Sequence, residues 1–581
     1  MSPKTISVDS AGEAYLTLLA DRGVDFLFGN GGSDFASIIE ALSKSAAGRA
    51  QAPMPITVPH ENLAVAMAHG AYLATGQVQA VMLHVNVGTA NAICALLNAQ
   101  RENIPVLLTA GRTPIFEGDV PGARSVFIHW GQEMYDQAGM LREVVKWDYE
   151  LRSTGQVEDV VDRALSIAMS EPRGPVYLTL PREVLMEGAG DFTYDSPSIR
   201  LPASPPAPDI DAVEQLAGWI AAAERPMIVT ASFGRDPAAV PDLVELAERF
   251  ALPVIGYRSR YTFMPTSSPM HLGYEPNTLL EDADLIVTLD CDVPWIPDLY
   301  KVPDQARVAH LGVDPLFSNY PMRSFRSDLA ITGDSAATLR ALTRALDIKS
   351  PPQKVMNERR EQLAVLREAW LKSRTKAATP PPEGTASTAA WVAACLNKAK
   401  RDDDMILNET FFPIGLLDLE QPCTSFTLSP AGGLGWSLGA ALGLKLGLPN
   451  RRAISVIGDG SYMFGNPTPA HFVSNAFSLP TLTIILNNRM WASVRKATLA
   501  QYPDGEAARA NQSPLTYLDP APEYHKIVEA SGGYGEKVER AEDFPAALER
   551  AFKAVDEEKR QAVLNVLTDY TDADAKRDAK K

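Results

Sequence analysis

The chain has 581 residues, of which 46% are hydrophobic and 22% charged, so it has enough apolar material for several cores and too much length for one. Its formal net charge of −17 disfavours nucleic acid and anionic membranes as partners, because both bind basic surfaces. The four cysteines form no CxxC pair, which fits neither a disulfide framework nor a cysteine-based zinc site.

The N-terminal residues 1–24 carry no basic segment followed by an apolar one, and the sequence has no run of about 18 apolar residues. We therefore expect a cytoplasmic protein with no membrane and no nucleic acid among its partners. Small metabolites are the candidate ligands.

Short apolar runs alternate along the chain with Ala- and Leu-rich stretches such as 62–75 and 238–250. Alternation of buried strands with helices is typical of parallel α/β sheets. The predicted strands are, in chain order, 24–28, 80–83, 106–110, 176–180, 227–230, 285–289, 308–312, 405–407, 454–458, 481–486 and 562–567.

Two proline-rich segments, 201–209 and 379–384, interrupt this series and favour extended linkers. They divide the chain into three domains, each predicted to be α/β, with a largely parallel sheet flanked by helices. The predicted domains are 1–190, 205–350 and 385–571, followed by a charged tail at 572–581.

The most specific motif is GDGS at 458–461, where a predicted strand ends. Glycines at a strand end let the backbone approach a phosphate, and the next helix N-terminus offers it N–H groups. The carboxylate of Asp459 and the amide oxygen of Asn488, at the end of the next strand, are ligands that Mg²⁺ prefers, and Met490 would add its backbone carbonyl. On its own, GDG would also fit a tight turn.

GDGS together with Asn487-Asn488 resembles the signature of thiamine-diphosphate (ThDP) dependent enzymes, and the likeness covers almost the whole chain. It is strongest to the decarboxylase and acetolactate-synthase branch, whose subunits consist of pyrimidine-binding, central Rossmann-like and diphosphate-binding domains. The resemblance implies ThDP and Mg²⁺ as cofactors. It also implies a homodimer or homotetramer with active sites at the subunit interface.

The segment VPHEN at 58–62 resembles the setting of the glutamate that activates the cofactor, which implies this role for Glu61. Such a carboxyl group bonds N1′ of the aminopyrimidine and favours the imino tautomer, which takes the C2 proton and leaves an ylide. Taken alone, Glu61 would be an ordinary carboxylate stabilised by a helix N-terminus.

The stretch SPAGGLGW at 429–436 resembles the loop that bends the cofactor, with Leu434 as the apolar wedge and Gly432 offering its carbonyl to the 4′-amino group. Asn408 and Thr410 resemble a further diphosphate contact, although a helix N-cap explains them nearly as well. The implied cofactor-binding residues are Glu61, Asn408, Thr410, Gly432, Leu434, Asp459, Gly460, Ser461, Asn488 and Met490.

Three further residues concern the substrate. FGNGGS at 28–33 resembles a loop of benzoylformate decarboxylase, with Gly31 in place of proline and Ser33 at its active-site serine. His84 matches that enzyme's catalytic histidine and could transfer a proton, while Ser33 could hold a carboxylate. A core histidine and a turn serine are the alternatives. Gln132 resembles the glutamine that faces the cofactor in acetolactate synthases.

The function predicted from this resemblance is a 2-oxo acid decarboxylase or carboligase. The alternatives are an acetolactate-synthase-like carboligase, a 2-hydroxyacyl-CoA or oxalyl-CoA lyase, and a non-catalytic ThDP-binding scaffold. The substrate would accordingly be a 2-oxo acid, an aldehyde or an acyl-CoA. The central domain lacks the full FAD pattern of acetolactate synthases, so we expect no FAD.

Overall fold

A computed structural model describes residues 2–349 and 351–568. Contacts between residues group the chain into two compact units. The first unit contains the described residues of Met1–Ala203, Leu428–Val538 and Glu549–Lys581, and the second contains those of Ser204–Thr427 and Glu539–Leu548. The tail predicted at 572–581 lies outside the described residues.

The N-terminal part of the first unit contains a six-stranded parallel sheet with the strand order β3-β2-β4-β5-β7-β6 and an antiparallel pair, β1 with β8. Every residue of the central strand β4 is buried, as expected for a parallel sheet covered on both faces. The elements are β1 (Ser2–Val8), α1 (Ala11–Asp21), β2 (Phe26–Gly29), α2 (Ala36–Ala46), β3 (Met54–Thr57), α3 (Glu61–Thr75), β4 (Gln79–Leu83), α4 (Val85–Asn91), α5 (Ile93–Arg101), β5 (Val106–Arg112), α6 (Ile128–Gly131), β6 (Asp148–Glu150), α7 (Val157–Met169), β7 (Val176–Pro181), α8 (Arg182–Met186) and β8 (Gly190–Ser196).

The second unit contains a five-stranded parallel sheet with the order β10-β9-β11-β12-β13 and a parallel strand pair, β14 with β15. Its elements are α9 (Ile210–Ala222), β9 (Pro226–Thr230), α10 (Val240–Phe250), β10 (Val254–Ile255), α11 (Asn277–Leu280), β11 (Leu285–Leu289), β12 (Arg307–Gly312), β13 (Leu329–Thr332), α12 (Ser335–Lys349), α13 (Gln353–Ala377), α14 (Ala389–Ala399), β14 (Met405–Glu409) and β15 (Ser425–Thr427).

The C-terminal part of the chain adds four parallel strands to the first unit, in the order β16-β17-β19-β18. Its elements are α15 (Trp436–Gly447), β16 (Ala453–Gly458), α16 (Asp459–Phe464), α17 (Pro467–Ala476), β17 (Leu482–Asn487), α18 (Ala492–Gln501), α19 (Glu506–Ala510), α20 (His525–Glu529), β18 (Tyr534–Val538), α21 (Phe544–Asp556) and β19 (Ala562–Leu567). The predicted fold class, three α/β parts with parallel sheets and flanking helices, is confirmed.

Helices α3 and α15 pack against each other with their backbones almost in contact. A Cβ atom added at Gly443 would lie 2.0 Å from the carbonyl oxygen of Met67, and one added at Gly70 would lie 2.1 Å from that of Ala440. Only glycine fits at such distances. The helix that begins at Glu61 is thereby fixed against the helix that follows the glycine-rich loop.

Among the described residues, none of the helices combines the length and the hydropathy needed to span a bilayer.

Candidate active site

Glu61 is the first residue of α3, where the free N–H groups of a helix N-terminus stabilise a carboxylate. Its Oε1 accepts a hydrogen bond from the side-chain amide of Asn30 at 2.8 Å, and its Oε2 accepts one from that of Asn91 at 2.5 Å. Asn30 follows β2 and Asn91 ends α4. A carboxylate has about four acceptor positions, so Glu61 is held in place and can still bond a ligand.

His84 lies between the end of β4 and the start of α4. Its Nδ1 is 2.5 Å from Oδ1 of Asp34, and its Nε2 is 3.2 Å from the side-chain nitrogen of Gln132. The hydrogen bond to Asp34 raises the pKa of His84 above its ordinary value, and the charge of Glu61 acts in the same direction. The imidazole is therefore held at both nitrogens, and its protonated form is favoured over that of a free imidazole.

The structure brings His84 and Gln132 together, and Ser33 lies next to Asp34 at the start of a short 3₁₀ turn, with its side chain exposed. Asp34, Asn30 and Asn91 were missed by sequence reasoning. Asn30 lies within the FGNGGS segment, Asp34 follows that segment, and Asn91 ends the helix after His84, so their polar side chains at strand and helix ends were the available signal.

Asp459 begins α16 directly after β16 and is 2% exposed. Burial raises the pKa of its carboxyl group to about 6, although the nearby backbone N–H groups of Gly460, Arg489 and Met490 act in the opposite direction. Its Oδ2 is buried and has no hydrogen-bond partner among the described residues. A buried carboxylate oxygen without a partner is costly and fits a cation-binding position.

Asn488 follows β17, the strand that pairs with β16, so both predicted metal ligands lie at carboxyl ends of neighbouring strands. The side-chain oxygen of Asn488 accepts a hydrogen bond from the N–H of Met490 at 3.1 Å. The turn that contains Asn488 and Met490 therefore wraps around the carboxylate of Asp459. One carboxylate with amide and carbonyl oxygens is the donor set that Mg²⁺ takes when it also binds phosphate.

Within the described part of the chain, no group of three or more His, Cys, Asp or Glu side chains could hold a metal ion. The magnesium site assigned to Asp459, Asn488 and Met490 has a single carboxylate and stays a prediction.

Packing requires a glycine at Gly460, the second glycine of the GDGS motif. A Cβ atom added at Gly460 would lie 2.5 Å from the indole ring of Trp491. Ser461 follows it within the first turn of α16 and is buried. Trp491 therefore covers the start of α16, next to the predicted metal ligands.

Asn98 fixes the glycine-rich loop before α15 by two hydrogen bonds to Gly433. The side-chain nitrogen of Asn98 donates to the carbonyl of Gly433 at 2.7 Å, and its side-chain oxygen accepts from the N–H of Gly433 at 3.0 Å. Gly432 has a φ of +70°, which favours glycine. Leu434 lines a small cavity together with His60 and Asn62, the neighbours of Glu61 in the same chain. The predicted wedge therefore lies close to the helix that carries Glu61.

In the second unit, the side chain of Asn408 closes its own turn. Its nitrogen donates to the carbonyl of Phe412 at 3.2 Å, and its oxygen accepts from the N–H of Thr410 at 3.2 Å. This is a local side-chain turn at the end of β14 and not the helix N-cap considered for these residues, because no helix of the described chain begins there. Their contact with a diphosphate stays a prediction.

Comparison with known proteins identifies the chain. It matches three family profiles: "Thiamine pyrophosphate enzyme, N-terminal TPP binding domain" over residues 9–140, the "central domain" of the same enzymes over 213–342, and the "C-terminal TPP binding domain" over 414–566. Glu61 and His84 lie in the first match and Asp459 in the last. The chain belongs to the thiamine pyrophosphate enzyme family.

Relatives narrow this class to one branch. The chain is 25% identical over 567 residues to the acetolactate synthase isozyme 3 large subunit of Escherichia coli K12, covering 94% of this chain and 92% of the relative. It is 27% identical over 496 residues to the benzoylformate decarboxylase of Pseudomonas aeruginosa PAO1, covering 82% and 86%. The crystal structure of benzoylformate decarboxylase from Polynucleobacter necessarius superposes with a TM-score of 0.77 at 21% identity over 97% of this chain and 99% of the other, a likeness of fold alone. The chain is thus a ThDP-dependent enzyme of the acetolactate synthase and benzoylformate decarboxylase branch.

Proposed function

We propose that the chain is a ThDP- and Mg²⁺-dependent carbon–carbon lyase that decarboxylates a 2-oxo acid, similar to the benzoylformate decarboxylases among its relatives. The observation that carries this proposal is the histidine of the N-terminal sheet. A decarboxylase must place a proton on the carbon that loses CO₂, and His84 is an acid–base group whose pKa is raised. The negative charge of Glu61 also raises the pKa of His84, so the two side chains interact electrostatically.

The chain offers groups that fit both ends of the cofactor. Oδ2 of Asp459, the side-chain oxygen of Asn488 and the carbonyl of Met490 would hold Mg²⁺ against the diphosphate. Leu434 and Glu61 would hold the two rings. Bound ThDP would supply the carbon nucleophile and the electron sink for breaking the carbon–carbon bond.

The protein groups divide the remaining work. Ser33, exposed beside Asp34, would donate a hydrogen bond to the substrate carboxylate. His84 would then give the proton at Nε2 to the carbon that has released CO₂, and water would return a proton to the imidazole. The net change converts a 2-oxo carboxylate anion and one proton to an aldehyde and CO₂, so charge and atoms balance.

An acetolactate-synthase-like carboligase is the second candidate. Gln132, which resembles a cofactor-facing glutamine of those synthases, contacts His84 in the structure. Seven of the curated relatives are acetolactate synthases or their large subunits. In that reaction a second 2-oxo acid, rather than a proton, would take the new bond.

The two candidates differ in their products. We would incubate the Mg-ThDP enzyme with a panel of aliphatic and aromatic 2-oxo acids and acyl-CoA thioesters, measure CO₂ release, and identify products and trapped adducts by mass. We expect an aldehyde from an aromatic 2-oxo acid, and loss of that product in His84→Gln but not in His525→Gln, a matched change at the start of α20. Acetolactate from pyruvate would instead identify the carboligase, and adducts from CoA thioesters alone would contradict both.

A further inference from the structure

Asp34 is a buried carboxylate whose position is explained by its contact with His84. It is 4% exposed, and its Oδ1 lies 2.5 Å from Nδ1 of the imidazole. Its Oδ2 is buried and has no hydrogen-bond partner among the described residues. A buried carboxylate held mainly by one histidine is an expensive arrangement, because its desolvation must be offset by that contact.

Two glycines shape the backbone around this pair. A Cβ atom added at Gly32 would lie 2.0 Å from Nδ1 of His84 and 2.5 Å from Oδ1 of Asp34. One added at Gly111, near the end of β5, would lie 1.7 Å from Oδ2 of Asp34. Any side chain at either position would push the carboxylate or the imidazole out of place. The Asp34–His84 pair is therefore enclosed by backbone on two sides.

Gln132 meets the opposite nitrogen of the imidazole. Its nitrogen lies 3.2 Å from Nε2 of His84, while its oxygen is buried and has no hydrogen-bond partner among the described residues. The two ends of an amide have the same shape, so rotation by half a turn exchanges them. The nitrogen can donate to a neutral imidazole, and the oxygen can accept from a protonated one.

We propose that Asp34 is a positioning residue that keeps a hydrogen on Nδ1 of His84 and directs Nε2 toward the substrate, and that the amide of Gln132 follows the protonation of Nε2. This inference rests on the proposed function, because it assigns Nε2 as the atom that gives the proton. After transfer the imidazole is neutral with its hydrogen on Nδ1, and Gln132 donates to Nε2. Uptake of a proton from water at Nε2 turns the amide so that its oxygen accepts.

The charged and titratable groups near His84 support this assignment. Asp34 bonds it directly, Glu61 adds a negative charge from α3, and His129 of α6 interacts with both members of the pair. Burial and the neighbouring Arg182 and Arg124 hold the pKa of His129 below its ordinary value. The pKa of His129 is therefore shifted in the opposite direction from that of His84.

The test replaces Asp34 by asparagine, which keeps the size and one oxygen acceptor but removes the charge. Loss of an adjacent opposite charge lowers a histidine pKa by about 1 pH unit or more. We expect the imidazole titration of His84, followed by nitrogen NMR of the full-length enzyme labelled in histidine, to fall by that amount. The signal is assigned by its absence in His84→Gln. The alkaline limb of the pH–rate profile, where His84 loses the proton that it donates, should move to lower pH with it.

The matched control is Asp119→Asn, since Asp119 is exposed and has a φ of +68°, which asparagine adopts readily. It should leave the titration of His84 unchanged. An unchanged His84 titration in Asp34→Asn would overturn the proposal. If that variant does not fold, the wild-type spectrum still decides, because a neutral His84 with its hydrogen on Nε2 contradicts the proposal.

These readings separate the inference from the function on which it rests. A shifted His84 titration with no turnover of any 2-oxo acid would support the positioning by Asp34 and contradict the decarboxylase. Turnover of a 2-oxo acid with an unshifted His84 titration would support the decarboxylase and contradict the positioning by Asp34.

Discussion

Substitution of Asp459 by asparagine should change stability and cofactor retention in opposite directions. Burial raises the pKa of this carboxyl group from 3.8 to about 6, so the charged form is disfavoured in the folded protein without its metal. A rise of that size corresponds to about 3 kcal/mol of lost stability once the group is ionised. Asparagine carries no charge at this position and avoids that cost.

The direction of the pH dependence follows from the number of protons that Asp459 binds in the folded and in the unfolded protein. Between about pH 4 and about pH 6 the folded protein keeps the proton of Asp459 while the unfolded chain has lost it, so the stability contributed by this group falls as pH rises. Above about pH 6 the contribution is constant and unfavourable. About 1.4 kcal/mol of this loss of stability occurs between pH 5 and pH 8, the range in which the wild type and the Asp459→Asn variant can be compared.

The assay is denaturant unfolding of the metal-free wild type and the Asp459→Asn variant at about pH 5 and about pH 8, with Asp119→Asn as control. The advantage of the variant over the wild type should grow by about 1.4 kcal/mol between these pH values. Addition of Mg²⁺ and ThDP at about pH 8 should reverse the order, since metal binding needs the ionised carboxylate. A difference independent of pH, or equal stabilisation of both proteins by the cofactors, would refute the reasoning.

Two further predictions concern the packing of the chain and the sharing of sites between subunits. Gly443→Ala should destabilise the first unit by about 1–3 kcal/mol, because the added methyl would lie 2.0 Å from the carbonyl oxygen of Met67. In the control Gly48→Ala the added methyl meets no atom of the described residues, so only the backbone strain of its φ of +70° costs stability. Equal unfolding midpoints for the two variants would contradict this prediction. Mixing Glu61→Gln with Asp459→Ala subunits should restore activity if, as the family resemblance implies, each site takes Glu61 from one chain and Asp459 from another. Absence of rescue, with hybrids shown by native mass spectrometry, would place each site within one chain, as the cavity shared by Leu434 and Asn62 would suggest.

The buried strands could be predicted because parallel strands covered on both faces are continuous apolar runs. Those expected at 285–289 and 562–567 have the observed bounds, and 80–83 falls one residue short. The edge strand β3 was missed. Its residues are mostly exposed and include Pro55, so no apolar run marks it. The 25-residue helix α13 was missed as well, because its sequence is mostly polar.

The candidate site divides in the same way. Glu61, His84 and Asp459 stand in local motifs at the ends of predicted elements, so their positions at helix and strand ends could be expected. The Asp34–His84 contact depends on the pairing of β2 with β4, which joins residues far apart in the chain. The unpartnered oxygen of Asp459 depends on packing around it, and no motif records that.

Exchange of the C2 proton of ThDP, measured by quenched-flow NMR in D₂O with the complete Mg-ThDP enzyme, tests directly whether this chain activates the cofactor through Glu61. The wild type should exchange this proton much faster than free ThDP, and Glu61→Gln should slow the exchange by at least about 10²-fold, the scale of one lost acid–base group. Glu40→Gln, an exposed glutamate of α2, should match the wild type. Wild-type exchange rates in Glu61→Gln, with cofactor bound, would contradict the account.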